Sequence, residues 1–232
     1  MPPPMFPKLL AGLTMASHNS LCTGHIYLAA NEAQKQKYLP RLASGKSLGA
    51  WGLTEPGSGS DAGAARTRAV RKGSSGDKWS ITGTKTFITQ GSVAEIYVIL
   101  ASTSPEKKAR GITLFGVETT KEGYSRGRKL DKVGQEESDT AELFFENVRV
   151  SDDDIVGELD NGFIHMMENL PQERLGCAIS NLAHAKQILV ETLCRGQPGL
   201  AARHVGDAAE GAAEAAADRG LVSRGAAPQA GV

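Results

Sequence analysis

Between Ser47 and Glu158 the chain carries seven short segments rich in β-branched and aromatic residues: WGLTE, TRAV, KWSIT, TKTFIT, EIYVILAS, GITLFGVE and AELFFENVRV. Gly or polar turns separate them, and no stretch of helical periodicity intervenes. Such a succession predicts a small antiparallel barrel or sandwich. Thr82-Gly83 reads as a hairpin turn, and SPEKKARG (104–111) as an exposed loop whose Lys and Arg form a solvated edge.

Helical signals flank this block, so the predicted fold class is α+β. From Phe6 to Ala43 apolar residues recur at Leu9, Leu10, Leu13, Leu21, Ile26 and Leu28. Asn31 suits an N-cap for NEAQKQKYL, with Pro40 limiting that helix. From Asn161, GFIHMMENL predicts one short helix, and Pro171 suits the first turn of the next. Leu175, Ala178, Ile179, Leu182, Ala185, Leu189 and Leu193 then follow at three- and four-residue spacing, the mark of a long amphipathic helix. After Cys194 the chain turns to Ala and Gly, with a weak Ala-rich helix expected around Asp207 to Asp218. The expected domains are therefore 1–46, 47–158, 159–193 and a low-complexity tail, 194–232.

Several classes of function are disfavoured. Twenty-six basic residues balance twenty-six acidic ones, so no electrostatic footprint for nucleic acid or an anionic membrane exists. Cys22, Cys177 and Cys194 are odd in number and lack CxxC spacing, which argues against a disulfide framework or zinc site and for a reducing compartment. His18 and His25 could share a helix face, but read as surface or core imidazoles. Leu9 to Ala16 reads as helix and makes a poor signal peptide.

Chemistry concentrates in two stretches. GAWGLTEPGSGSD (49–61) begins as a buried strand and breaks into a Gly- and hydroxyl-rich loop; GTKTFITQG (83–91) is a short aromatic strand. Each alone reads as a turn and a core strand. Together they resemble the two flavin-contacting segments of the acyl-CoA dehydrogenase family, whose TEPxxGSD loop and aromatic-Ile-Thr strand flank an isoalloxazine ring. The resemblance extends from about His18 to about Val190. It includes ASHNSLC and NEAQKQKYLPRLASGK, which lie late in that family's N-terminal helical domain. GRKLDKVG and DTAELFFENVRV lean toward the long-chain and isovaleryl group.

The resemblance implies FAD as cofactor and α,β-dehydrogenation of an acyl-CoA thioester to the trans-2-enoyl-CoA. A carboxylate takes the α-proton while the β-hydrogen leaves as hydride to flavin N5. It assigns flavin contacts to Trp51, Leu53, Thr54, Ser60, Phe87, Ile88 and Thr89. Ser60 also meets substrate, and Phe87 stands where the family usually has Trp. ENLPQERLGCAIS matches the members that carry the base on this helix, which implies Glu173 as base beside Arg174, with Pro171, Gln172, Glu173 and Arg174 touching CoA. Without the resemblance, Glu173 is an acidic residue in a helix's first turn, where the dipole would lower its pKa; useful basicity would need burial or substrate. Glu55 and Asp61 read as loop acceptors for backbone N–H groups, and Asp152-Asp153-Asp154 as a solvated run.

Further implied are an electron-transferring flavoprotein as acceptor, a homotetramer, and a bacterial cytoplasmic or mitochondrial matrix location. Met1 falls where the family's later N-terminal helices begin. RGQPGLAARHVG replaces a helix that carries flavin diphosphate contacts, as expected of a truncated chain with a frameshifted or divergent tail. The rival expectations are a catalytically silent fragment that binds acyl-CoA weakly, and an oxidase of the same fold that passes electrons to oxygen.

Overall fold

The computed structural model describes residues 6–73, 78–135 and 138–196, with the side chains of 6–11 and 194–196 left undescribed. The tail expectations after Gly196 lie outside the described residues, as does the Cys194 side chain. The chain divides into two compact units, Met1–Arg174 and Leu175–Val232.

In the first unit, helix α1 (Phe6–Ser17) runs into a π-helical turn, His18–Thr23, then α2 (Gly24–Ala29) and α3 (Glu32–Ala43). The cap expected at Asn31 is present as a reciprocal box. Asn31 Oδ1 accepts from the Gln34 N–H at 2.9 Å, and Gln34 Oε1 accepts from the Asn31 N–H at 3.1 Å. Pro40 does not limit α3, which continues to Ala43. Buried Tyr38 and Leu42 hold that turn against the core, and the Ser44 hydroxyl donates to the Pro40 carbonyl at 2.7 Å. Packing here outweighs the lost proline N–H.

Among the described residues eight strands follow: β1 (Gly49–Gly52), β2 (Arg68–Arg71), β3 (Trp79–Thr89), β4 (Ile96–Ser102), β5 (Ile112–Glu118), β6 (Tyr124–Lys129), β7 (Thr140–Val150) and β8 (Ile155–Val156). Their order is β6-β7-β3-β2-β4-β5-β8, with β1 paired to β4. The sheet is mixed: β1 pairs with β4 in parallel from Gly49↔Ile96 to Gly52↔Ile99, and β2 meets β4 in parallel at Arg68↔Ser102. The other pairings are antiparallel. Strand β6 escaped the sequence reading because YSRGRK is polar and mostly exposed, the composition of an edge strand.

Thr82-Gly83 is not a turn. Strand β3 runs straight through it, with only a register shift against β7. A Cβ at Gly83 would lie 2.7 Å from Thr67 Cα, so this glycine permits a close backbone approach within the sheet. SPEKKARG is likewise more ordered than a loop, forming a 3-10 turn over Pro105–Gly111.

Strand β4 is buried on both faces. Tyr97, Ile99 and Ala101 enter one apolar cluster with Trp79, Phe115 and Phe145. Ile96, Val98 and Leu100 enter a second with Cys22, Ile26, Tyr38 and Leu42 from the helical segment. The period of two thus sends alternate residues to a sheet core and a sheet–helix core. Trp51 joins the second cluster and Ala50 the first.

The Asp152–Asp154 run is not simply solvated. Asp152 accepts from Lys78 Nζ at 2.7 Å and Trp79 Nε1 at 2.8 Å, while buried Asp154 caps the Ser151 N–H at 3.0 Å.

Helix α4 runs unbroken over Gly162–Gly196, so GFIHMMENL is no separate helix and Pro171 opens no new one. Proline at 171 removes the hydrogen bond to the Met167 carbonyl, and Met167 is 40% exposed, so water can satisfy that group. In the second unit, α4 keeps the expected stripe: Leu175, Ile179, Leu182, Leu189 and Leu193 are all exposed large apolar residues.

Candidate active site

The loop after β1 is fixed by its own polar groups. Glu55 and Ser58 exchange backbone hydrogen bonds at 2.8 and 3.1 Å, closing a tight turn over Pro56-Gly57. The Ser58 hydroxyl donates to the Asp61 carbonyl at 2.6 Å. The Glu55 carboxylate accepts from the N–H groups of Arg66 (2.6 Å) and Thr67 (3.1 Å), the structural role expected of it. The Asp61 carboxylate caps no backbone N–H. Thr54 is tied across to β3, its carbonyl accepting from the Thr86 N–H at 2.8 Å.

That tie coincides with a defect in β3. Register against β7 breaks between Lys85 and Ile88, and Phe87 takes a left-handed φ of 56°. The bulge turns the Phe87 ring outward, two-thirds exposed, while Ile88 stays in the core. Just beyond it Gln90, also left-handed at φ 63°, is buried. Its Nε2 donates to the Thr14 carbonyl at 3.0 Å, and its Oε1 accepts from the Ser17 hydroxyl at 3.2 Å.

These pieces enclose a cavity of about 170 Å³ lined by Ser17, Leu21, Trp51, Leu53, Thr54, Phe87, Ile88, Thr89, Gln90 and Glu173. Seven residues singled out in the sequence therefore converge: Trp51, Leu53, Thr54, Phe87, Ile88, Thr89 and Glu173. The others do not. Ser60 is exposed on the loop, and Pro171, Gln172 and Arg174 are exposed on α4, away from the cavity lining.

Glu173 lies mid-helix and not in a first turn, so no helix N-terminus acts on its carboxyl group. Burial pushes its pKa above the ordinary carboxylate value, a rise moderated by a hydrogen bond from Asn169. Asn169 is buried and its Nδ2 donates both to Glu173 Oε1 at 2.9 Å and to the Ser20 carbonyl at 3.0 Å. Behind the wall, His25 stacks on Trp51 at 3.8 Å with an interplanar angle of 8°. Its Nε2 lies 3.8 Å from Glu173 Oε1. Asn169, Ser17 and Gln90 carried no chemical signal in the sequence, and His25 read only as a surface or core imidazole; their places in the fold single them out.

A larger cavity, about 700 Å³, lies between Ala62–Ala64 and the Pro105–Gly111 turn. Arg66, Arg68 and Lys108 line it with Asp61, giving a cationic excess where the sequence suggested only a solvated edge.

The family model for the acyl-CoA dehydrogenase middle domain matches residues 50–148, and that for the acyl-CoA dehydrogenase N-terminal domain matches 8–46. The chain is 42% identical over 178 residues to an acyl-CoA dehydrogenase of Bacillus subtilis, covering 77% of this chain and 46% of that protein. Against the mitochondrial long-chain specific acyl-CoA dehydrogenase of Mus musculus it is 42% identical over 160 residues, covering 68% and 36%. The butyryl-CoA dehydrogenase structure from Megasphaera elsdenii superimposes with a TM-score of 0.73 at 38% identity, covering 77% of this chain and 46% of that one. The chain thus spans less than half the length of these relatives. It belongs to the acyl-CoA dehydrogenase family, whose members are oxidoreductases.

Proposed function

We propose that this chain carries the flavin-ring pocket and catalytic base of an FAD-dependent acyl-CoA dehydrogenase of the long-chain or isovaleryl-like group. The observation that carries the reading is Glu173. A partly buried carboxylate, remote in sequence from both motif segments, lines the same cavity as Trp51, Thr54 and Thr89.

The residues present fit a flavin ring. Trp51, Leu53, Ile88 and the outward-turned Phe87 give flat apolar walls, and Thr54 and Thr89 give hydroxyl donors for a polar ring edge. When bound, FAD supplies the two-electron acceptor that protein side chains lack. Trp51, Leu53, Thr54, Phe87, Ile88 and Thr89 hold it there. Ser60 enters its assigned cofactor and substrate contacts only by loop movement, and Pro171, Gln172 and Arg174 touch the CoA moiety from the exposed side of α4. Glu173 removes the α-proton. Its pKa, raised by burial, makes it a stronger base than an ordinary carboxylate. Arg66, Arg68 and Lys108 suit the phosphates of CoA. An electron-transferring flavoprotein takes the electrons onward, and the assembled enzyme is a homotetramer in the bacterial cytoplasm or mitochondrial matrix.

A silent acyl-CoA-binding chain is the second reading. It is favoured by the exposed apolar stripe on the described part of the second unit, Leu175 to Leu193.

The test is a visible spectrum of the purified chain, followed by anaerobic addition of a long-chain acyl-CoA. A bound flavin bleached by substrate, with bleaching lost in Glu173→Gln but flavin retained, supports the dehydrogenase. A protein colourless after added FAD supports the silent reading. Peroxide formed stoichiometrically in air marks the oxidase alternative.

A further inference from the structure

His25 is 1% exposed, and its two ring nitrogens have opposite surroundings. Nδ1 lies 2.7 Å from the Leu21 carbonyl oxygen, a group that can only accept, so Nδ1 carries the ring proton. That assignment leaves Nε2 as a bare lone pair. Nε2 has no hydrogen-bond partner among the described residues, and Glu173 Oε1 stands 3.8 Å from it. The parallel stack on Trp51 fixes the ring plane, so the imidazole cannot pivot toward another donor. Asn169 Nδ2, 3.4 Å from Nδ1, is itself a donor directed to Ser20 and Glu173, and offers Nε2 nothing.

We propose that His25 is a positioning residue for Glu173: its bare Nε2 accepts a hydrogen bond from the protonated carboxyl group and holds the acid in place after proton abstraction. The inference rests on reading Glu173 as the base. An ionised carboxylate has no hydrogen to offer, so the contact is repulsive before abstraction and bonding afterwards. A short side-chain adjustment from 3.8 Å brings the pair into hydrogen-bond range. The arrangement favours the proton-loaded state of Glu173, and therefore its strength as a base.

The imidazole must stay neutral for this. Burial lowers its pKa to about 4, with the Leu21 hydrogen bond acting to raise it and His165 acting to lower it. Two titratable groups of α4 bear on it: His165 acts electrostatically and the Glu173 carboxyl group faces Nε2; His165 itself contacts Glu158 at 2.7 Å. Above about pH 4 the ring is therefore neutral and Nε2 is free to accept.

The experiment is a ¹³C NMR titration of the Glu173 carboxyl group in the full chain and in His25→Phe, which keeps a flat ring on Trp51 but removes the lone pair. The expected result is an acid-dissociation constant for Glu173 roughly tenfold larger in the variant, the scale of one hydrogen bond. In flavin-loaded protein, kcat falls roughly tenfold with KM unchanged, and the acid limb of the rate profile moves to lower pH. An unchanged titration overturns the proposal. If His25→Phe does not fold, ¹⁵N shifts of the native imidazole decide. A bare Nε2 whose resonance moves as Glu173 titrates supports the proposal, whereas an Nε2–H tautomer or a flat Nε2 shift overturns it. Turnover by Glu173→Gln would sink the base reading itself, whatever His25 does; an inactive Glu173→Gln beside an unaffected His25→Phe removes only the role of His25.

Discussion

Lys85 and Glu55 form a buried ion pair at 2.8 Å that joins the bulged strand β3 to the loop after β1. Lys85 is fully buried, and its Nζ also donates to the Leu53 carbonyl at 3.1 Å, so one ammonium pins both sides of the cavity wall. Removing one partner of such a pair strands the other charge. Lys85→Met is expected to lose about 3–5 kcal/mol of stability in urea denaturation. Burial pushes Glu55 upward, but the Lys85 charge and its hydrogen bonds outweigh this and hold the carboxyl below its ordinary value of 4.5. The stability it contributes is therefore present above pH 4.5 and lost as pH falls through the lower folded value. Lys85→Met should flatten that acid limb.

The helical segment meets the sheet through Gly49. Its N–H donates to His18 Nδ1 at 3.0 Å, and a Cβ there would lie 2.6 Å from Cys22 Sγ and 3.1 Å from Leu42 Cδ2. Gly49→Ala should destabilise the first unit by about 1–3 kcal/mol through overpacking, measured by its thermal midpoint. Gly57→Ala, where a Cβ meets open space, is the control and should change little.

Asn169 opposes His25 in its effect on Glu173, because its amide donates to the ionised carboxylate and lowers its pKa. Asn169→Leu should raise the Glu173 pKa and shift the acid limb of activity to higher pH. It should also cost about 1–3 kcal/mol, since the Ser20 carbonyl loses a donor. A limb that moved to lower pH would show that the amide does not face the carboxylate.

Glu173 itself weakens the fold where it is charged. Its folded pKa is raised by burial, so its favourable contribution is present below 4.5 and lost as pH rises through the folded value. Glu173→Gln keeps an acceptor for Asn169 without the charge. The variant should therefore be more stable than the native chain at pH 8 and equal to it at pH 4, by urea midpoint. Equal midpoints at both values would mean that the carboxylate is fully hydrated.

What the sequence made legible was local. The Asn31 box is written within four residues, and strand β4 announces itself as EIYVILAS. Signals set by distant packing were misread. Gly83 looks like a turn, yet its absent side chain serves contact with Thr67, and Pro171 looks like a helix start until exposure of Met167 shows how the helix tolerates it. Trp51, Thr89 and Glu173 came together only through the family resemblance. His25 was readable as core but not as a neighbour of Glu173, because a lone His on a short helix carries no sign of where its ring points.

Phe87 and Ile88 separate fold from site most directly. They are adjacent on β3, but the bulge leaves one 67% exposed and the other 2% exposed. If the outward ring serves only the fold, its truncation should matter little to any ligand. If it walls a flavin, truncation should act on the cofactor alone. Phe87→Ala is expected to leave the stability of the flavin-free chain within about 0.5 kcal/mol, since little buried area is lost. It should weaken FAD retention roughly tenfold, the scale of one aromatic contact. Ile88→Ala should cost about 2–5 kcal/mol through the cavity left in the core, whether or not FAD is present. Fluorescence titration with FAD beside urea denaturation of both variants reads the two effects separately. A Phe87→Ala chain that binds FAD as well as the native one would remove Phe87 from the pocket and leave the ring to Trp51 and Leu53.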